Sequence, residues 1–119
     1  MTQPFYHVTH KSNVASIARS GLNPAFSKGH QQTMWYVLRY KLEWAIAHVA
    51  ERQHCDPADL VVYRLWGNRI EFTKTRLKGV YITADRRRPT KAPHSASAYL
   101  DMDLQAPYVP GTKLGDRYA

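Results

Sequence analysis

Four segments of the chain are rich in β-branched and aromatic residues. They cover residues 5–9, 34–38, 60–66 and 79–83. Such side chains fit the pleated surface of a sheet, so each segment is predicted to be a strand, and the strongest pattern is LVVYRLW at 60–66. Residues 69–76 alternate charged with apolar groups, which fits either a short strand or a loop.

Two helices are predicted between these strands. The first covers about residues 13–20 and is followed by Gly21, a residue that commonly lies just past a helix end. The second covers about residues 40–53, and its apolar side chains recur at the spacing of one buried stripe: they are Leu42, Ile46 and Val49. Helices placed early and strands placed late favour an α+β fold over a doubly wound sheet.

The pattern weakens beyond Pro89, where proline and glycine interrupt the chain repeatedly. Residues 99–104 alternate apolar with polar groups and are predicted to be an edge strand. We therefore predict one domain over residues 1–92 and a C-terminal extension over residues 93–119 that is partly extended or disordered.

Composition indicates a single globular domain with excess positive charge. The 119 residues are 44% hydrophobic and carry a formal net charge of +8. Residues 60–119 hold eleven basic and five acidic residues, so +6 of this charge lies in the second half. The excess would attract a polyanion such as DNA or RNA, although it also serves solubility alone.

Several classes of protein are disfavoured by the same composition. No run approaches the ~18 apolar residues that span a bilayer, and no signal peptide is visible, so no membrane partner and a cytoplasmic location are predicted. The one cysteine, Cys55, excludes an internal disulfide and a cysteine-rich zinc site. His48 and His54 lack a partner at metal-ligand spacing, so no metal site is predicted.

The first candidate site is the pair His7 and Thr9. Side chains alternate along a strand, so these two would lie on one face. An imidazole and a hydroxyl there could bind ribose hydroxyls or a phosphate. Alternatively, His7 is satisfied by a neighbour at a sheet edge.

Two further groups are candidates for ligand binding. Trp35 and Tyr36 are adjacent, so one can pack in the core while the other stacks on a planar ligand, unless both are packing residues. Arginine binds phosphates with bidentate geometry, so the basic run after Asp85 could hold a nucleic acid, or it could be a solvated loop. Its members are Arg86, Arg87 and Arg88.

The opening of the chain combines two motifs. A strand reading Tyr6-His7-Val8-Thr9 precedes a helix that carries Asn13 and Ile17 and ends at Gly21-Leu22. This pattern resembles the opening of ADP-ribosyltransferase-like domains, which include poly(ADP-ribose) polymerases, RNA 2′-phosphotransferases and DNA-modifying ADP-ribosyltransferase toxins. The resemblance extends over residues 5–90.

The resemblance implies a small split mixed β-sheet with two N-terminal helices and a cleft that holds NAD in a bent form. His7 would bind ribose hydroxyls of NAD, and Thr9 would assist it. An aromatic ring would stack on nicotinamide, and Trp35, Tyr36 and Tyr81 are all candidates for that place.

The family also uses a Glu near the start of a late strand, whereas no Glu follows Glu71 here. The nearest acidic candidate is Asp85, so the implied catalytic residues are His7, Tyr36 and Asp85. The implied function is an NAD-dependent ADP-ribosyltransferase acting on a nucleic acid or protein. The alternatives are a non-catalytic nucleotide- or RNA-binding module, an RNA 2′-phosphotransferase-like enzyme that uses the arginine run, and a small toxin or inhibitor acting through protein contacts.

Overall fold

A six-stranded antiparallel sheet forms the frame of this α+β protein. The structure, a computed structural model, describes residues 2–26 and 33–105. In chain order the elements are β1 (Gln3–His10), α1 (Val14–Ser20), β2 (Met34–Val37), α2 (Leu42–Gln53), β3 (Leu60–Gly67), β4 (Thr73–Lys74), β5 (Val80–Thr83), β6 (His94–Ser95) and α3 (Ala96–Gln105). The strands are ordered β4-β5-β2-β1-β3-β6.

Every strand pairing within the described ranges is antiparallel, whereas the resemblance implied a mixed sheet. Between β1 and β2 the register pairs Tyr6 with Val37, the last residue of β2, so β2 begins beside the end where β1 finishes. A strand that enters there must run back along β1, and the pairing is therefore antiparallel.

The sheet is covered differently on its two sides. On the helical face, side chains of α2 and α3 pack against β1, β2 and β3, and the strand residues Tyr6, Val8, Val37 and Val62 point this way. On the aromatic face, the alternate strand residues form a second cluster around Phe5. The other large rings of that cluster are Tyr36, Tyr63, Phe72 and Tyr81. Both faces of the central strands are therefore buried.

Most predicted elements are confirmed. The four predicted strands correspond to β1, β2, β3 and β5, and the two predicted helices to α1 and α2. The stripe of Leu42, Ile46 and Val49 is buried under the sheet. Gly21 has a φ of 73°, and a Cβ there would lie 2.9 Å from the carbonyl oxygen of Arg87. Residues 69–76 contain a single 3-10 turn followed by the two-residue strand β4.

The edge strand predicted at residues 99–104 is wrong, because this segment belongs to helix α3. The backbone N–H of Ala98 donates to the Ser95 hydroxyl at 3.0 Å, which caps the start of the helix. Ala96 and Tyr99, one helical turn apart, are buried against the helical face. The chain beyond residue 92 thus adds a strand and a helix to the same core, while residues 106–119 lie outside the described part.

None of the helices in the described ranges is long and apolar enough to cross a membrane.

Candidate functional site

A cleft of about 990 Å³ opens where β1 and β2 stop pairing. Strand β1 pairs with β3 along its whole length, from Gln3 to His10, but it pairs with β2 only at Tyr6 and Val37. Beyond that pair the cleft is lined by His7 and its successors on β1 and by Met34 and Trp35 on β2. Residues of α1 and α2 complete the walls, so both faces of the sheet contribute to the cleft.

His7 lies in the gap between the two strands. Its side chain is only 8% exposed, and Nδ1 is 2.8 Å from the carbonyl oxygen of Trp35. A carbonyl can only accept, so Nδ1 carries the proton and Nε2 is the acceptor of the neutral ring. Burial lowers the pKa of His7, and the bond to Trp35 opposes this only in part. His7 is therefore a neutral hydrogen-bond acceptor in the cleft.

Thr9 follows His7 on the same side of β1 and also lines the cleft. The amide Nδ2 of Asn13 donates to the Thr9 Oγ1 at 2.8 Å. The hydroxyl proton of Thr9 then remains available to a ligand oxygen. This pairing supports the prediction that an imidazole and a hydroxyl stand side by side, with one accepting and the other donating.

The two adjacent aromatic residues point to opposite faces, as the alternation required. Trp35 is half-buried on the helical face and lines the cleft, and its ring centroid lies 5.9 Å from that of His7. Tyr36 is fully buried on the aromatic face, 5.6 Å from His7 between ring centroids. Tyr81 is buried beside Phe5 and is absent from the cleft lining. Trp35 is thus the one of the three candidates that a ligand in the cleft would touch.

Tyr36 has an unusual hydroxyl. The oxygen is buried and has no hydrogen-bond partner among the described residues. Burial raises the pKa of Tyr36 far above its ordinary value, and the nearby Arg87 guanidinium opposes this only partly. Tyr36 is therefore a neutral core residue behind His7, and it does not line the cleft.

The predicted acidic and basic residues at 85–88 do not join the cleft. Asp85 is exposed, and its side chain is not among the groups that line the cleft. Arg87 binds Glu71 at 2.6 Å and stacks 4.8 Å above the Phe72 ring, so it holds the fold together. Arg86 and Arg88 are exposed, and neither they nor Asp85 contribute a side chain to the cleft lining.

Helix α2 contributes groups to the cleft that sequence analysis missed. His48 and Arg52 both line it, and Arg52 is also exposed to solvent. Their i, i+4 spacing in the sequence already predicts that they lie on one side of the helix. The sequence around them does not indicate that this side borders β1. Among the described residues that line the cleft, Arg52 carries a full positive charge and none carries a carboxylate.

No group of three or more metal-ligating side chains occurs in the part of the chain that the structure describes.

The lowered pKa of His7 predicts a pH dependence of stability. Below about pH 6.5 the unfolded chain binds a proton that the folded chain resists, so the free energy of unfolding should fall as the pH falls. The slope should approach ~1.4 kcal/mol per pH unit in this window. Denaturant titrations of the wild type and His7→Gln from pH 8 to pH 5 measure it. Parallel pH curves for the two proteins would contradict the burial of a neutral imidazole.

The unpartnered hydroxyl of Tyr36 predicts an unusual result for Tyr36→Phe. Removing a buried hydroxyl without a partner should leave stability unchanged or raise it by about 1 kcal/mol, measured by thermal or denaturant unfolding. Tyr81→Phe is the matched control, because Tyr81 lies opposite Tyr36 and its hydroxyl is not buried without a partner. A loss of more than about 1 kcal/mol in Tyr36→Phe would show that the hydroxyl is bonded after all.

Comparison with known proteins gives no identification by similarity: no protein-family model, no curated protein and no solved structure matches this chain.

Proposed function

We propose that this chain is an NAD-dependent ADP-ribosyltransferase whose cleft between β1 and β2 holds NAD. The observation that carries the proposal is the neutral His7, whose Nδ1 is fixed on the Trp35 carbonyl. That bond leaves Nε2 as an oriented acceptor for a ribose hydroxyl. The resemblance of the opening motif to ADP-ribosyltransferase-like domains agrees with this role, and the short pairing of β1 with β2 leaves room for the cleft within one sheet.

The polar groups of the cleft suit the parts of a dinucleotide. The Nε2 of His7 accepts from one ribose hydroxyl, while the hydroxyl of Thr9, held by Asn13, donates to a neighbouring oxygen. Arg52 offers a positive charge to the diphosphate from the α2 side. A volume near 990 Å³ is at the upper end of the range for small-molecule sites, as a dinucleotide requires.

Trp35 is the group proposed to contact the nicotinamide ring. It is half-buried, lines the cleft and lies near His7, so a planar ligand bound by His7 would meet the indole. The Tyr36 ring packs against His7 on the side away from the cleft. Tyr81 is assigned to packing, because Phe5 and the facing strand enclose it.

The proposed reaction transfers ADP-ribose in two bond changes. The glycosidic bond between ribose C1′ and nicotinamide breaks, and its electron pair leaves with nicotinamide. An oxygen or nitrogen of the acceptor then bonds to the electron-poor C1′ and releases its proton to solvent. His7 and Thr9 act by orienting the ribose during this exchange. Asp85 is not assigned the stabilisation of the cationic sugar, because it is exposed outside the cleft.

A second candidate function is a nucleotide-binding module without turnover. It is favoured by one observation: the described residues that line the cleft include no carboxylate. A negative charge near C1′ is the usual means of stabilising a cationic sugar. Binding needs only His7, Thr9 and Arg52, so it does not depend on such a charge.

The proposal predicts that His7→Ala weakens NAD binding about tenfold or more in calorimetric titrations. One lost hydrogen bond of about 1.5 kcal/mol accounts for a tenfold change. His94→Ala is the matched control, since His94 is exposed outside the cleft. Circular dichroism and the melting temperature establish that His7→Ala is folded, and Asn13→Ala tests the same site without touching a buried ring. Equal affinity in wild type and both cleft variants would refute the assigned site.

Turnover separates the two candidate functions. With labelled NAD and single-stranded DNA, RNA and mixed proteins as acceptors, the transferase should release nicotinamide and label one acceptor class, and His7→Ala should reduce the rate. Asp85→Asn should retain the rate, because Asp85 is exposed and does not line the cleft. NAD binding without release of nicotinamide would instead establish the binding module.

A further inference from the structure

Trp66 near the end of β3 is 61% exposed, although it is one of the largest apolar side chains in the protein. It lies on the helical face, beyond the area that the helices cover. Arg64, two residues earlier on the same side of β3, places its guanidinium carbon 5.9 Å from the Trp66 ring centroid. Both side chains are exposed, so an indole face and a positive charge meet solvent together.

A shallow groove of about 60 Å³ adjoins this pair and is here named the Trp66 groove. Val62 and Tyr99 are buried at its base. The opposite rim consists of residues that precede and begin β6, and it includes Lys91 and His94, both exposed. The described lining thus has two full positive charges, one exposed indole and no carboxylate.

We propose that the Trp66 groove binds single-stranded nucleic acid. A base stacks on the Trp66 indole, and the flanking phosphates contact Arg64 and Lys91. Exposed aromatic rings beside basic side chains are the usual means by which proteins hold single strands without reading sequence. The inference goes beyond the proposed function, because it requires neither NAD nor turnover.

Charge and geometry favour this occupant over others. Residues 60–119 supply +6 of the net charge of +8, so the groove belongs to the more positive half of the chain. A duplex hides the faces of its bases inside the stack, and only an unpaired base can lie on the indole. An apolar protein partner would leave Arg64 and Lys91 facing an unfavourable surface, since the described lining holds no acidic group to pair with them.

The groove also replaces the basic run at 86–88 as the main nucleic-acid contact. Arg87 is only partly exposed, and its guanidinium is neutralised by Glu71 and stacked on Phe72, so its charge is less available to a phosphate. The Trp66 groove, in contrast, combines its charges with an aromatic surface. Arg86 and Arg88 remain exposed and can add to long-range attraction.

The test measures binding of fluorescently labelled oligo(dT) and oligo(U), about 12 nucleotides long, by anisotropy at several salt concentrations. Trp66→Ala should weaken binding about 5- to 100-fold, the range for one lost stacked base. Lys91→Ala should weaken binding and reduce the salt dependence by about one phosphate contact. Arg19→Ala is the matched control, because it removes an exposed charge on α1 that does not line the groove.

Each outcome decides the inference. Equal weakening by Arg19→Ala and Lys91→Ala, or no effect of Trp66→Ala, would show binding by general charge alone and overturn it. Equally tight binding of a duplex of the same length would also overturn it. A preference for oligo(dT) or oligo(U) identifies DNA or RNA as the ligand, and either result supports the groove. His7→Ala should bind the oligonucleotides normally, so failure of the NAD proposal remains distinguishable.

Discussion

The hydrogen bond from His7 Nδ1 to the Trp35 carbonyl is the interaction on which the candidate site depends. A part-buried carbonyl at the end of a strand pairing needs a donor, and β1 has stopped pairing with β2 after Tyr6. The imidazole provides that donor. One bond therefore satisfies the backbone at the divergence of two strands, fixes the tautomer and makes Nε2 an acceptor in the cleft.

Alternation along the strands determines which aromatic groups a ligand can reach. In β2, Trp35 and Tyr36 point to opposite faces, and the aromatic face beneath Tyr36 is filled by Phe5 and Phe72. The same packing that stabilises the sheet thus removes Tyr36 from the cleft. It also places the Tyr36 ring against His7, with the two ring centroids 5.6 Å apart.

Local patterns predicted most elements of the fold and only part of the lining of the cleft. The strands and the first two helices follow from period-two and period-3.6 spacing, and His7 and Thr9 were found because alternation places them together. That Arg52 lines the cleft depends on which side of α2 borders β1, and that Asp85 does not line it depends on where the chain runs after β5. Helix α3 was missed because residues 99–104 also fit an alternating pattern, and its burial through Tyr99 is a tertiary effect.

The positive charge of the chain is divided among distinct environments. Arg87 is bound to Glu71 and stacked on Phe72, where it contributes to the fold. Its positive charge also opposes part of the rise that burial causes in the pKa of Tyr36. Arg52 lines the cleft, while Arg64 lies beside an exposed indole. A net charge counts these three guanidinium groups equally. Only their neighbours distinguish a structural cation from one that can bind a ligand, because the same group is neutralised in one place and uncompensated in another.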